Sequence, residues 1–146
     1  MLTKKRKASF GTIIRGTLRA EDLIPAFTDA LRYLRGSLPR EVHRTLQQWQ
    51  RGEVTEEHEA LFLDSLFDEL QEYAPPYAYF GAHEGDGSDF GFWLGDLDGA
   101  FDGLRVSDTS EVPSDYTGEV LHVNDHGNTT LYVSRGGKLR EIWTII

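Results

Sequence analysis

Histidines and carboxylates gather in two short segments of this chain, and their types suit metal binding or acid–base chemistry. One segment runs over residues 83–89 and the other over residues 122–126. Imidazole nitrogens and carboxylate oxygens are common ligands of divalent cations, and a histidine near an aspartate can act as a general base. A small metal-binding or hydrolytic module is therefore one function open to the chain. Its candidate residues are His83, Asp86, Asp89, His122 and His126.

The spacing of these residues completes no known metal motif. Residues 83–89 and the glycine-interleaved aspartates of residues 95–103 both lack the full ligand series and closing glutamate of an EF-hand loop. His122 and His126 are four residues apart, a spacing that joins two side chains on a helix, but here a strand is predicted to run into a turn. The sequence favours plain turns over metal sites, and we expect no cofactor.

Signatures of covalent catalysis are missing from the sequence. It contains no Gly-x-Ser-x-Gly elbow, Walker loop, dinucleotide-binding glycine motif or HExxH helix. It also contains no cysteine, which excludes disulfides, thiolate metal ligands and a cysteine nucleophile. These features favour a binding protein over an enzyme.

Charge is distributed unevenly along the chain. Residues 1–51 carry 11 basic and 4 acidic side chains, residues 52–104 carry 14 acidic and no basic ones, and residues 105–146 carry 4 and 6. A stretch without Lys or Arg cannot neutralise its own carboxylates locally, so the middle of the chain is predicted to present a negative face. Such a face would attract a basic protein surface, including one that binds nucleic acid.

Several of these carboxylates share one face of a predicted helix. Like charges four residues apart repel by a few tenths of a kcal/mol per pair, roughly, so folding alone would not select them. Solubility is one alternative role for the carboxylates, and another is that the arginine-rich first third cancels them by packing or self-association. The predicted partner-binding residues are Glu53, Glu57, Asp64, Asp68, Glu72, Glu84, Asp86, Asp89, Asp96, Asp98 and Asp102.

Direct binding of nucleic acid is not expected except through the basic start of the chain, for which a solubilising terminus is the favoured interpretation. Lys4, Lys5, Arg6 and Lys7 form a short cationic cluster in a tail that we place at residues 1–9. No apolar run approaches the length of a membrane span, so we expect a cytoplasmic protein that does not enter a membrane.

The predicted secondary structure changes from helical to β near residue 75. Apolar residues at helical spacing predict three helices within residues 18–74. The first has Pro25 in its opening turn, the second starts from a Ser37 N-cap and ends near residue 51, and the third starts from a Thr55 N-cap and stops before Pro75. The buried face of the third helix is predicted to consist of Leu61, Phe62, Leu66, Phe67, Leu70 and Tyr73.

Residues 77–146 predict β-structure. Aromatic strands at residues 77–81 and 90–94 flank a loop at residues 82–89, and short apolar runs separated by Gly and Asn turns follow. These later strands are placed at residues 104–107, 119–123, 129–134 and 139–145. The sequence therefore predicts an α+β fold, with about three N-terminal helices packed on a C-terminal antiparallel β-sheet, in a single domain over residues 1–146.

Two segments carry a resemblance. Residues 75–93 read PPYAYFGAHEGDGSDFGFW, and residues 121–128 read LHVNDHGN. They resemble segments of small acidic proteins from phages and mobile elements, a group with no established activity. The resemblance therefore assigns no functional residue, and it implies a role in host defence or host takeover.

Three functions follow from the sequence. The leading one is a non-enzymatic inhibitor from a phage or mobile element, of the anti-CRISPR or anti-restriction type, acting through its acidic surface in the host cytoplasm. The second is the metal-binding or hydrolytic module. The third is a structural or assembly protein, whose sign would be stable self-association.

Overall fold

The computed structural model describes residues 7–146, which form four helices and seven strands in two sheets. The predicted α+β class is confirmed. The chain, expected to be a single domain, groups into two compact units, Met1–Asp96 and Leu97–Ile146, called here the N-terminal and C-terminal units. Within residues 7–146, no helix combines the length and the apolar composition needed to cross a membrane.

Three helices of the N-terminal unit match the predicted ones. They are α1 (Ala20–Arg35), α2 (Arg40–Gln50) and α3 (Glu56–Gln71). Thr55 is the N-cap of α3, where its side chain accepts a hydrogen bond from the amide of His58 at 3.1 Å. This bond satisfies one of the four amides that a helix start leaves without a partner.

Two predicted helix starts are wrong. Pro25 lies inside α1, since the amides of Asp22 and Leu23 already donate to the carbonyl of Arg19. Pro25 has no amide hydrogen, so it cannot donate to the carbonyl of Glu21 four residues earlier in α1. Ser37 does not cap α2, which begins at Arg40 without a side-chain cap.

A three-stranded antiparallel sheet completes the N-terminal unit. Its strands are β1 (Gly11–Arg15), β2 (Ala78–His83) and β3 (Asp86–Leu94), in the order β1-β3-β2. Strand β1 was not predicted. It approaches β3 so closely that a Cβ on Gly91 would lie 2.1 Å from the carbonyl oxygen of Gly11, so only glycine fits at this crossing.

The loop predicted at residues 82–89 is instead mostly strand. Strands β2 and β3 continue to His83 and Asp86, which pair across a turn formed by Glu84 and Gly85. The pairing of His83 with Asp86 keeps the hairpin end extended despite the low β-propensity of Gly and Asp, and β1 pairs with β3 as far as Asp89.

Helices and sheet of the N-terminal unit share one core. The ring of Phe27 in α1 packs edge-on against Phe80 of β2 and Phe90 of β3, with ring centroids 5.1 Å and 5.8 Å apart. Such edge-to-face contacts add to the burial of apolar surface. Helix α3 contributes Phe62, Leu66 and Leu70 to the same core.

The C-terminal unit is built on a four-stranded sheet. It contains α4 (Leu97–Ala100), β4 (Leu104–Val106), a short 3-10 helix (Thr109–Glu111), β5 (Gly118–Val123), β6 (Thr129–Arg135) and β7 (Lys138–Ile145). The strand order is β4-β5-β6-β7. The last three strands form the predicted antiparallel meander, whereas β4 pairs in parallel with β5. Gly136 and Gly137 both have positive φ and form the predicted β6–β7 turn.

Candidate functional site

Helix α3 carries a row of carboxylates on its outer side, called here the acidic stripe: Glu53, Glu57, Asp64, Asp68 and Glu72. All five side chains are exposed. Within the helix, spacings of seven and four residues place Glu57, Asp64 and Asp68 on one side, because the helix has 3.6 residues per turn. Glu53 lies just before the helix and Glu72 is its C-cap residue.

Most of the stripe has no cationic partner among the described residues. Arg51 lies 3.8 Å from Glu53, but within residues 7–146 no basic side chain forms an ion pair with Glu57, Asp64 or Asp68. At the exposed positions 57, 64 and 68 the negative charge therefore faces solvent.

Three arginines of the first third, Arg19, Arg32 and Arg44, pair with acidic residues of their own segments. Arg32 bonds to Asp29 at 3.0 Å and Arg44 bonds to Glu41 at 2.6 Å, each three residues away. Arg19 pairs with Glu21 in the same way. Within one copy of the described chain, these arginines thus do not cancel the acidic stripe.

The C-terminal end of α3 is acidic as well. Its last turn includes Asp68 and Glu69 and contains no basic residue, and Glu72 follows as the C-cap. The helix dipole leaves partial negative charge at this end, so a carboxylate there is destabilising by about 0.3–1 kcal/mol. These carboxylates oppose the stability of the helix that carries them.

A groove of about 600 Å³ lies between α2 and α3. Val42 and Phe62 line it and are buried, while Leu61, also in the lining, is 60% exposed. Glu41, Glu53 and Glu69 add carboxylates to the walls, and none of the described Lys or Arg side chains lines the groove. The groove therefore combines apolar surface with negative charge.

The predicted buried position of Leu61 is wrong, and sequence reasoning missed its role in the groove. A helix turns about 100° per residue, so Leu61 points roughly 140° away from Leu66, at the centre of the buried face. This angle follows from the sequence alone and places Leu61 away from the buried face of the helix. Trp49 and Glu59, which join α2 to α3 through a 2.6 Å hydrogen bond, carried no comparable signal because they lie on different helices.

At the β2–β3 turn, the predicted acid–base residues bond to their own loop. The Nδ1 atom of His83 accepts from the amide of Gly85 at 2.9 Å, and its ring packs edge-on against Trp93. Asp86 accepts from both the amide and the hydroxyl of Ser88, and these bonds lower the pKa of Asp86. Glu84 is exposed at the turn.

Asp89 does not belong to an exposed acidic surface. It is 9% exposed, and its Oδ1 accepts from the hydroxyl of Thr12 at 2.7 Å. This bond links β3 to β1, beside the pairing of Arg15 with Asp89. The carboxylate thus serves the sheet, which corrects its prediction as a docking residue.

Three predicted partner-binding residues, Asp96, Asp98 and Asp102, lie near the boundary in sequence between the two units. Asp98 forms an ion pair with Arg105 at 3.2 Å, and that guanidinium also lies over the ring of Phe101. Asp102 is exposed, and so is Asp96 at the end of the N-terminal unit. Asp98 thus forms an ion pair within its own segment, whereas Glu57, Asp64 and Asp68 of α3 form none with a basic residue of the described chain.

His122 lies in β5 and His126 in the β5–β6 turn, and each takes part in a hydrogen bond within the C-terminal unit. The Nε2 atom of His122 lies 3.2 Å from the carbonyl oxygen of Ser107. Asn124 Oδ1 accepts from the amides of His126 and Asn128, which closes the turn and leaves His126 exposed. Such side-chain bonds are typical of asparagine turns.

The described residues do not assemble a metal centre. Nowhere in residues 7–146 do three or more His, Cys, Asp or Glu side chains form a group that could hold a metal ion. Of the basic tail, Lys7 is exposed, and Lys4, Lys5 and Arg6 lie outside the described residues.

Comparisons with family models, curated proteins and solved structures find no match to this chain.

Proposed function

We propose that this chain is a non-enzymatic binding protein whose acidic stripe docks on a basic, nucleic-acid-binding surface of another protein. The observation that carries the proposal is the state of Asp64 and Asp68. Both are exposed, neither has an ion-pair partner among the described residues, and they lie four residues apart in the C-terminal half of α3.

Folding gives no reason for this arrangement. Asp64 and Asp68 repel each other, and Asp68 also opposes the helix dipole in the last turn. Solubility does not require a single helix face, since carboxylates scattered over the surface would serve equally well. A feature that costs stability in a fixed geometry is expected where binding selects it.

The spacing of the stripe fits a surface that normally holds phosphates. Carboxylates four residues apart lie about 6 Å apart along a helix axis. One strand of duplex DNA presents a charge about every 3.4 Å, so the stripe approaches half the charge density of one strand. Association through such charges would be fast at low salt and weak at high salt.

The class of partner follows from the resemblance to phage and mobile-element proteins. Systems that defend a host against such elements bind nucleic acid through surfaces rich in Lys and Arg. A row of carboxylates can occupy such a surface. An inhibitor of the anti-CRISPR or anti-restriction type is the function we propose, active in the host cytoplasm and without a cofactor.

Affinity capture from a host lysate tests the proposal. The wild-type chain should retain a nucleic-acid-binding protein at low salt and release it at high salt. A variant with Asp64, Asp68 and Glu72 all replaced by Lys should retain none of it. A matched control replaces Asp115, Asp125 and Glu141 by Lys, which changes the net charge equally at exposed sites of the C-terminal unit. If the control variant fails to capture the partner as completely as the stripe variant does, net charge and not the stripe governs capture. The proposal then fails.

A further inference from the structure

Beside the acidic stripe lies the groove between α2 and α3, and Glu53 belongs to both. We propose that this groove receives an amphipathic segment of the partner, in which an apolar side chain is flanked by Lys or Arg. The inference rests on the proposed function and deepens it, because it adds an apolar anchor to a charge-based contact.

Leu61 is the first argument for an apolar anchor. It lies between Glu57 and Asp64 along α3, it lines the groove, and the residue as a whole is 60% exposed. Behind it, Val42 and Phe62 are each 5% exposed and line the groove with apolar atoms. An apolar side chain of the partner in this groove would cover Leu61. The apolar surfaces of both side chains would then be removed from water.

Charge complementarity is the second argument, and it selects the residues around the anchor. Glu69 lines the groove and has no ion pair among the described residues. Glu41 and Glu53 also line it, each with one exposed arginine partner. An acidic segment or a nucleic acid would be repelled by this lining, whereas Lys and Arg would be attracted to it.

The dimensions of the site fit a helix of the partner. Residues 57–72 of the stripe extend about 22 Å along the axis of α3. An amphipathic helix of about four turns matches this length, and its apolar face presents anchors at every third or fourth residue. Apolar anchors within a charged rim are the common form of a binding hot spot.

A synthetic peptide tests this inference without knowledge of the partner. The probe is a fluorescein-labelled helical peptide with Leu at every third or fourth position and Arg elsewhere, and fluorescence anisotropy reports its binding. Leu61→Gln should weaken binding at least about tenfold. The matched control is Leu18→Gln, because Leu18 is 68% exposed in the same unit and lies outside the groove. It should bind the probe as the wild type does.

The outcomes separate this inference from the proposed function. Equal binding of the probe by Leu61→Gln and by the wild type overturns the groove, as does equal binding of a peptide with Glu in place of Arg. If Leu61→Gln binds normally while the Asp64, Asp68 and Glu72 to Lys variant does not, the stripe binds without the groove and the proposed function stands. If the stripe variant still captures the partner from a lysate, the proposed function fails whatever the peptide does.

Discussion

The indole nitrogen of Trp49 donates a hydrogen bond to Glu59 Oε2 at 2.6 Å, and this bond joins α2 to α3. Both side chains are partly buried. A charge-assisted bond in such surroundings is short and strong, because water competes poorly for the carboxylate. The contact therefore fixes the separation of the two helices between which the groove lies.

Replacing Trp49 by Phe should lower the free energy of unfolding by about 1–2 kcal/mol. The variant keeps most of the ring packing but leaves the carboxylate of Glu59 without its donor. Urea denaturation followed by circular dichroism measures the change. Glu57→Gln is the control, since Glu57 is exposed on the same helix, and a loss as large as that of Trp49→Phe would contradict the role assigned to the bond.

Thr55→Ala should cost about 1 kcal/mol, because it removes the side-chain bond to the amide of His58. Thr55→Ser should retain most of that stability. Ser37→Ala provides a contrast, since the sequence predicts Ser37 as the N-cap of the second helix and in the structure it does not cap α2. Thermal unfolding compares the variants, and equal losses for Thr55→Ala and Ser37→Ala would refute the assignment.

Asp68→Lys should stabilise the protein while it weakens binding. The substitution removes repulsion from Asp64 and places a cation in the last turn of α3, worth about 0.3–1 kcal/mol. Chemical denaturation at low salt measures the gain, and capture of the partner measures the loss. Destabilisation by this substitution would show that Asp68 stabilises the fold. It would contradict the claim that Asp68 lowers stability and is present for binding.

Asp86 should titrate below an ordinary aspartate, because the amide and hydroxyl of Ser88 donate to its charged form and lower its pKa. A lowered pKa in the folded state adds stability above the ordinary aspartate pKa, and this stability is lost as the pH falls through the lowered value. In Ser88→Ala the pKa of Asp86 should rise part of the way towards the ordinary aspartate value, because the hydroxyl bond is lost while the amide bond remains. NMR titration of the carboxyl carbons measures the pKa of Asp86 in the wild type and in Ser88→Ala. Asp108 is the internal control, since hydrogen bonds from Ser110 lower the pKa of Asp108 independently. An unchanged Asp86 titration in Ser88→Ala would contradict this assignment.

Periodicity predicted the helices well because their packing follows the side-chain pattern directly. The cap at Thr55 followed from residue type alone. The start of α1 did not follow from residue type, because proline is typical of a first turn whereas Pro25 lies inside this helix. Strand β1 also escaped prediction, because its place beside β3 is fixed by long-range contacts such as Thr12 to Asp89.

The candidate site was predictable in its charge and not in its shape. Counting acidic residues located the negative segment, and spacing placed Asp64 and Asp68 on one face. No local pattern separates Asp89, which is buried against β1, from carboxylates that face solvent. The groove depends on how α2 packs on α3, and that packing is not encoded in the spacing of residues within either helix.

Competition between this protein and nucleic acid shows whether the acidic stripe occupies a nucleic-acid-binding surface. The captured partner is purified, bound to a labelled nucleic acid, and titrated with the wild-type chain or with the variant in which Asp64, Asp68 and Glu72 are replaced by Lys. The wild type should displace the nucleic acid and the variant should not, with displacement weakening as salt rises. A stable complex that contains partner, nucleic acid and the wild-type chain together would contradict the account.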